Sequence, residues 1–200
     1  MIYESLKVKF YFLALILSFI SCKTNIGSEN KNFILWKDTK QLTFKDFKGK
    51  PNNFGTDIYG YCATQNRFEH KIDETTKLPK FIIKCYFNKK KSFIRLKNKK
   101  DTLTLRHEQL HFNIEELLCR KTRKSWDSLY DLKERKITFY NKARYRNSKE
   151  INLLNSMFDQ EAHSIYKSIL KVNIEAYEDS ILKRWEARIE RELDELGNYK

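Results

Sequence analysis

Residues 104–120 read TLRHEQLHFNIEELLCR, and within them His107-Glu108-Gln109-Leu110-His111 is an H-E-x-x-H motif. On an α-helix, side chains four apart lie one above the other. Two imidazoles at that spacing can grip one metal ion, and a catalytic zinc takes three protein ligands and leaves a fourth position to water. Glu108 follows His107 directly and stands beside that position as a base. Leu103, Leu110, Ile114 and Leu118 share the stripe of the two histidines, so this face is expected to look inward. Asp101 or Thr102 can cap the start. The plainer reading is an amphipathic helix with two hydrogen-bonded histidines. Against it, the chain has only four His, and two of them stand at this spacing with Glu in place.

Working upstream, residues 58–65 (IYGYCATQ) and 81–87 (FIIKCYF) are rich in β-forming residues. The second places Phe81, Ile83, Cys85 and Phe87 on one face. Gly49 and Pro51 mark a turn, and residues 88–91 a second one. Residues 92–96 (SFIRL) read as a further strand. Residues 42–97 are therefore expected to form a small, largely antiparallel sheet. Downstream the pattern stays helical, with Leu132 and Tyr140 among scattered apolar positions over residues 127–145. Ile151, Leu154, Phe158, Ala162, Ile165, Ile169 and Val172 recur at helical spacing, and Ala176, Ile181, Trp185, Ile189, Leu193 and Leu196 continue it. This is one very long helix or two, with a break near residues 172–173 or beside His163. The expected fold class is α+β: a small mostly antiparallel sheet, then the H-E-x-x-H helix, then long C-terminal helices. That is a minimal zincin-like arrangement, in a single domain over residues 34–197.

A catalytic zinc needs a third ligand. His70 lies in the polar stretch FEHKIDETTK, read as an exposed loop. Residues 158–164 read FDQEAHS, on a helical stretch that must pack. His163 ranks first; Asp159, four residues earlier on the same face, ranks second; Glu161, displaced around the helix, third. Glu115 lies about 40° from His111 around the motif helix and is placed to orient that imidazole. Glu116 lies about 180° from His107 and reads as surface charge paired with Arg120 or Lys121.

The 200 residues are 40% hydrophobic and 14% aromatic, enough for one packed core. The net charge of +14 implies attraction to anionic surfaces. The basic residues are spread, and their densest run, residues 120–146, is mixed with acids and reads as a solvated helical face. Residues 10–20 are an apolar run too short to span a bilayer, behind Lys7 and Lys9. They match a secretory signal, so residues 1–21 are read as a signal peptide. The Ser21-Cys22 that follows resembles the lipobox of bacterial lipoproteins, in which the Cys becomes the lipidated first residue. Residues 22–33 are then lipid anchor and polar tether. The protein is expected to be exported and held in the cell envelope by lipidated Cys22, on the periplasmic side or the outer surface. An exported chain does not meet nucleic acid, and a monomer is expected. In an oxidising compartment Cys62 and Cys85, on predicted strands, either form a disulfide or remain buried thiols, with Cys119 left over.

The motif helix HEQLHFNIEELLCR resembles the HEQ-x-HF-x-I-x-E helix of a bacterial domain-of-unknown-function family of predicted secreted zinc-dependent proteases. LTFKDFKGKP (residues 42–51), CYFNKKKSF (85–93) and FDQEAHS resemble three further segments of that family, in the same order. Phe44 and Phe93 stand where the family has Trp, Leu110 replaces Gly, and His163 arrives one residue early. The resemblance implies a zinc metallopeptidase, a hydrolase acting on a peptide or protein substrate, here membrane-anchored through Cys22. Zn2+ would be held by His107, His111 and His163, or by Asp159 or Glu161 in place of the last, with Glu108 as general base. The substrate would lie between the sheet edge and the motif helix. The competing expectation is a non-catalytic, zinc-containing envelope lipoprotein that serves as a binding or adaptor module.

Overall fold

A computed structural model describes residues 31–51, 58–95, 102–163 and 174–200, the side chains of His163 and Ile174 excepted. The expected signal peptide and Cys22 lie outside the described residues, as do Asp101 and residues 164–173, where the sequence left one helix or two open. No helix among the described residues is long and apolar enough to cross a membrane.

The fold is α+β. Strand β1 (Phe33–Leu35), β3 (Thr64–Ile72) and β4 (Pro79–Asn88) form one antiparallel sheet in the order β1-β4-β3. A second pair joins β2 (Gly60–Tyr61) to β5 (Phe93–Ile94), also antiparallel. Helices α1 (Thr102–Asp131), α2 (Ile137–His163) and α3 (Ile174–Glu195) follow, with short 3-10 turns at Phe44–Asp46 and Gly197–Tyr199. The alternation of Phe81, Ile83, Cys85 and Phe87 puts all four on one face, as expected, and that face packs toward α1. The 42–51 segment docks on the β4–β5 turn through Gly49, whose N–H donates to the Ser92 carbonyl at 2.7 Å. A Cβ on Gly49 would stand 2.7 Å from that oxygen, so only glycine allows the approach.

Helix α1 is the centre of the molecule because both of its faces are covered. Leu110, Ile114, Leu117 and Leu118 pack with Ile151, Leu154 and Phe158 of α2 and with Ile181, Trp185, Ile189 and Leu193 of α3. Phe112, Cys119 and Trp126 pack on the sheet, against Ile83, Cys85 and Phe87. Burial on two sides supplies most of the stability of this 30-residue helix.

Three expectations are corrected, the first by this two-sided burial. Glu116 is not surface charge: it is 3% exposed, and it pairs with Arg120 at 3.4 Å and Arg123 at 2.9 Å. The single-stripe argument missed that the sheet covers the opposite face of α1. His70 lies in β3 rather than in a loop, with its ring stacked on Phe81 at 5.0 Å. Helicity does not run on from residue 127 to 145. It stops after Asp131, where Lys133 takes a positive φ of 57° and the Glu134 carboxylate accepts the Lys136 N–H.

Candidate metal centre

The motif helix carries His107 and His111 one turn apart, as the spacing requires. Their Nε2 atoms stand 3.1 Å apart. Asp159, from α2, brings its Oδ1 to 3.3 Å from His107 Nε2 and 3.0 Å from His111 Nε2. Two nitrogen lone pairs and a carboxylate oxygen thus converge on one point. Bare, such a group repels itself unless a proton or cation lies between. Three ligands about 2.0–2.1 Å from a tetrahedral zinc are themselves roughly 3.3 Å apart, so the observed triangle has the size zinc takes. The donor set, two neutral imidazoles and one carboxylate, also suits that ion.

The neighbouring residues hold the triangle in place. His111 Nδ1 donates to Asn155 Oδ1 at 2.9 Å, which fixes the tautomer and leaves Nε2 free to ligate. Asn155 and Asp159 are four apart on α2 and face the site together. Phe158 lies between them, its ring 4.4 Å from that of His107 and 5.1 Å from that of His111, and Trp185 of α3 backs it at 5.5 Å. The two histidine side chains are about one-fifth exposed, whereas Asp159 is 45% exposed. Solvent therefore reaches the triangle from the Asp159 side.

Glu108 is 3% exposed and lies under β2. It accepts the Cys62 backbone N–H. A Cβ on Gly60 would stand 2.1 Å from Glu108 Oε1, so the bare glycine backbone makes room for the carboxylate. Burial pushes the Glu108 carboxyl up to about 7, and the charge of Asp159 adds to this, while His111 and the Cys62 N–H oppose it. Burial disfavours a charged His111. The hydrogen bond to Asp159 and the charges of Glu108 and Asp159 outweigh that, and its pKa is raised. Burial also works against ionised Asp159, but its hydrogen bonds to His107 and His111 hold it well below the usual carboxylate range.

The remaining candidates are placed as follows. Glu161 faces α3: it accepts from Trp185 Nε1 at 2.5 Å and pairs with Arg184. Glu115 accepts from Asn66 Nδ2, while the orienting bond to His111 comes from Asn155. His163 ends α2, and its side chain lies outside the described residues. Gln109 anchors the helix instead of touching the site: its Oε1 accepts the Leu42 N–H at 2.7 Å, and its Nε2 donates to Asn113. Asn155 and Gly60 escaped the sequence reading. Asn155 could have been found as the residue four before Asp159; Gly60 carried no signal, because strand β2 meets Glu108 only in three dimensions.

A groove of about 570 Å³ lies elsewhere, lined by Trp36, Lys84, Glu116, Arg123, Asp127 and Tyr199 among others, and its lining contains no histidine. Convergent ligand geometry rather than volume marks the site. A scan of family models, a search of curated proteins and a search of solved structures each found no match.

Proposed function

We propose that this protein is a zinc-dependent metallopeptidase, held in the bacterial cell envelope by a lipid on Cys22. The observation that carries the reading is the triangle of His107, His111 and Asp159 with Glu108 beside it. In this reading the third ligand is Asp159. Zinc, when bound, supplies Lewis acidity that lowers the pKa of water and polarises the scissile carbonyl. Glu108, with its pKa raised to about 7, takes a proton from the attacking water and hands it to the leaving amine. Asn155 keeps His111 in one tautomer throughout. Strand β2, with Tyr61 exposed on it and Tyr59 exposed just before it, is the side on which an extended peptide would lie.

The second reading, a non-catalytic zinc-containing envelope lipoprotein acting as an adaptor, is favoured by one observation: Gly60 and Cys62 cover Glu108. One experiment separates the two. Zinc content by mass spectrometry and hydrolysis of a quenched-fluorescent peptide library are measured for the parent protein and Glu108→Gln. One zinc in each, with turnover in the parent reduced about 100-fold or more in the variant, supports the peptidase. Zinc in both without turnover in either supports the adaptor. An equally active variant overturns the mechanism.

A further inference from the structure

We infer that Cys85 and Cys119 form a redox pair that closes into a disulfide between β4 and α1. The thiols lie where the two halves of the fold meet. Cys85 is on the inward face of β4 and Cys119 on the sheet-facing side of α1; both are fully buried, in the same core cluster. Their side chains hydrogen-bond to each other. With a Glu116 oxygen, the two Sγ atoms all lie within 4.8 Å of one another. In the described state both are free thiols.

Metal binding is the other chemistry open to such a cluster, and the surroundings oppose it. The Glu116 carboxylate already pairs with Arg120 and Arg123, so two guanidinium groups stand where a cation would need negative charge. Two thiols alone are too few for a closed zinc site. Cys119 Sγ also donates to Asn66 Oδ1 at 3.3 Å, and Asn66 donates to Glu115, one turn beyond His111. The pair thus sits at the seat of the motif helix, on the face opposite the helical core.

The step is thiol–disulfide exchange. Both S–H bonds break and the Cys85 Sγ–Cys119 Sγ bond forms. The electron pair passes to an external disulfide, which leaves as two thiols; glutathione disulfide or a protein disulfide oxidant fills that role. Burial pushes both thiols up, so exchange runs while the sheet and α1 are still coming together rather than in the packed core. The inference does not depend on the metal reading.

The test refolds the full chain in a glutathione redox buffer, alkylates remaining thiols and maps tryptic peptides. The expected product links the peptide of residues 85–89 (CYFNK) to that of residues 107–120 (HEQLHFNIEELLCR). The linked protein should unfold several degrees higher than its reduced form. Cys62→Ser should retain the link and Cys85→Ala should lose it. Full alkylation of both peptides in the refolded parent overturns the inference, as does a link from Cys85 to Cys62.

Discussion

Asp159 and Gly60 are the residues on which the chemistry of the site turns. If Asp159 Oδ1 completes the ligand triangle, Asp159→Asn should weaken zinc binding by more than the ~10–100-fold that loss of an outer partner costs, while His163→Ala leaves it unchanged. Competition with a chelating dye reads both; loss of zinc with His163→Ala alone would return the third position to that residue. Gly60→Ala places a methyl group against Glu108. The ligands come from α1 and α2, so zinc should stay while peptide turnover falls about 10-fold or more. Glu108→Asp in the same chain shortens the side chain by one methylene and should recover part of the loss, as steady-state assays would show. Turnover untouched by Gly60→Ala would mean that Glu108 does not work from under β2.

At the scale of elements, α1 is held by polar ties as well as by its two apolar faces. Arg120 is fully buried and donates to the Leu193 carbonyl of α3 at 2.6 Å and to Asp38 at 2.9 Å, and it pairs with Glu116 within α1. Its guanidinium stacks over Trp36 at 5.0 Å. One side chain therefore joins the first strand's tail, the motif helix and the last helix. Arg120→Ala should cost on the order of 3 kcal/mol in urea unfolding, because Glu116 loses a partner and the Leu193 carbonyl loses its donor. A loss below about 1 kcal/mol would mean that water replaces the guanidinium at little cost.

For the whole molecule, the site couples stability to pH and, in the proposed reading, to metal. Without metal, Glu108 titrates near 7 when folded against its ordinary 4.5, so the folded chain holds that proton more tightly. His111 is also raised above 6.5. The contribution of Glu108 is full below pH 4.5 and is lost as pH rises through about 7; that of His111 is full below pH 6.5 and is lost as pH rises above it. For Glu108 the loss is on the order of 3 kcal/mol. Asp159 acts in the opposite sense, but only below its ordinary value of 3.8. Zinc competes with the histidine protons, so it should raise the unfolding midpoint more at pH 8 than at pH 6. Thermal unfolding with zinc or with chelator, across that range, checks both. A zinc effect that does not grow with pH would argue against imidazole ligation.

The local patterns were legible in the sequence because they follow from period alone. The H-E-x-x-H pair needed only the helical repeat, the inward face of β4 only alternation, and the long helices only their apolar spacing. The α+β order followed from these. What decided the rest was which elements meet. Glu116 and Arg120 became buried because the sheet covers the second face of α1, and no single-helix stripe encodes that. Asn155, rather than Glu115, reached His111 because α2 crosses α1 at that turn. Gly60 came to lie over Glu108, and Cys85 opposite Cys119, through contacts between residues far apart in the chain. Sequence periodicity says which way a side chain points from its own element; only packing says what it points at.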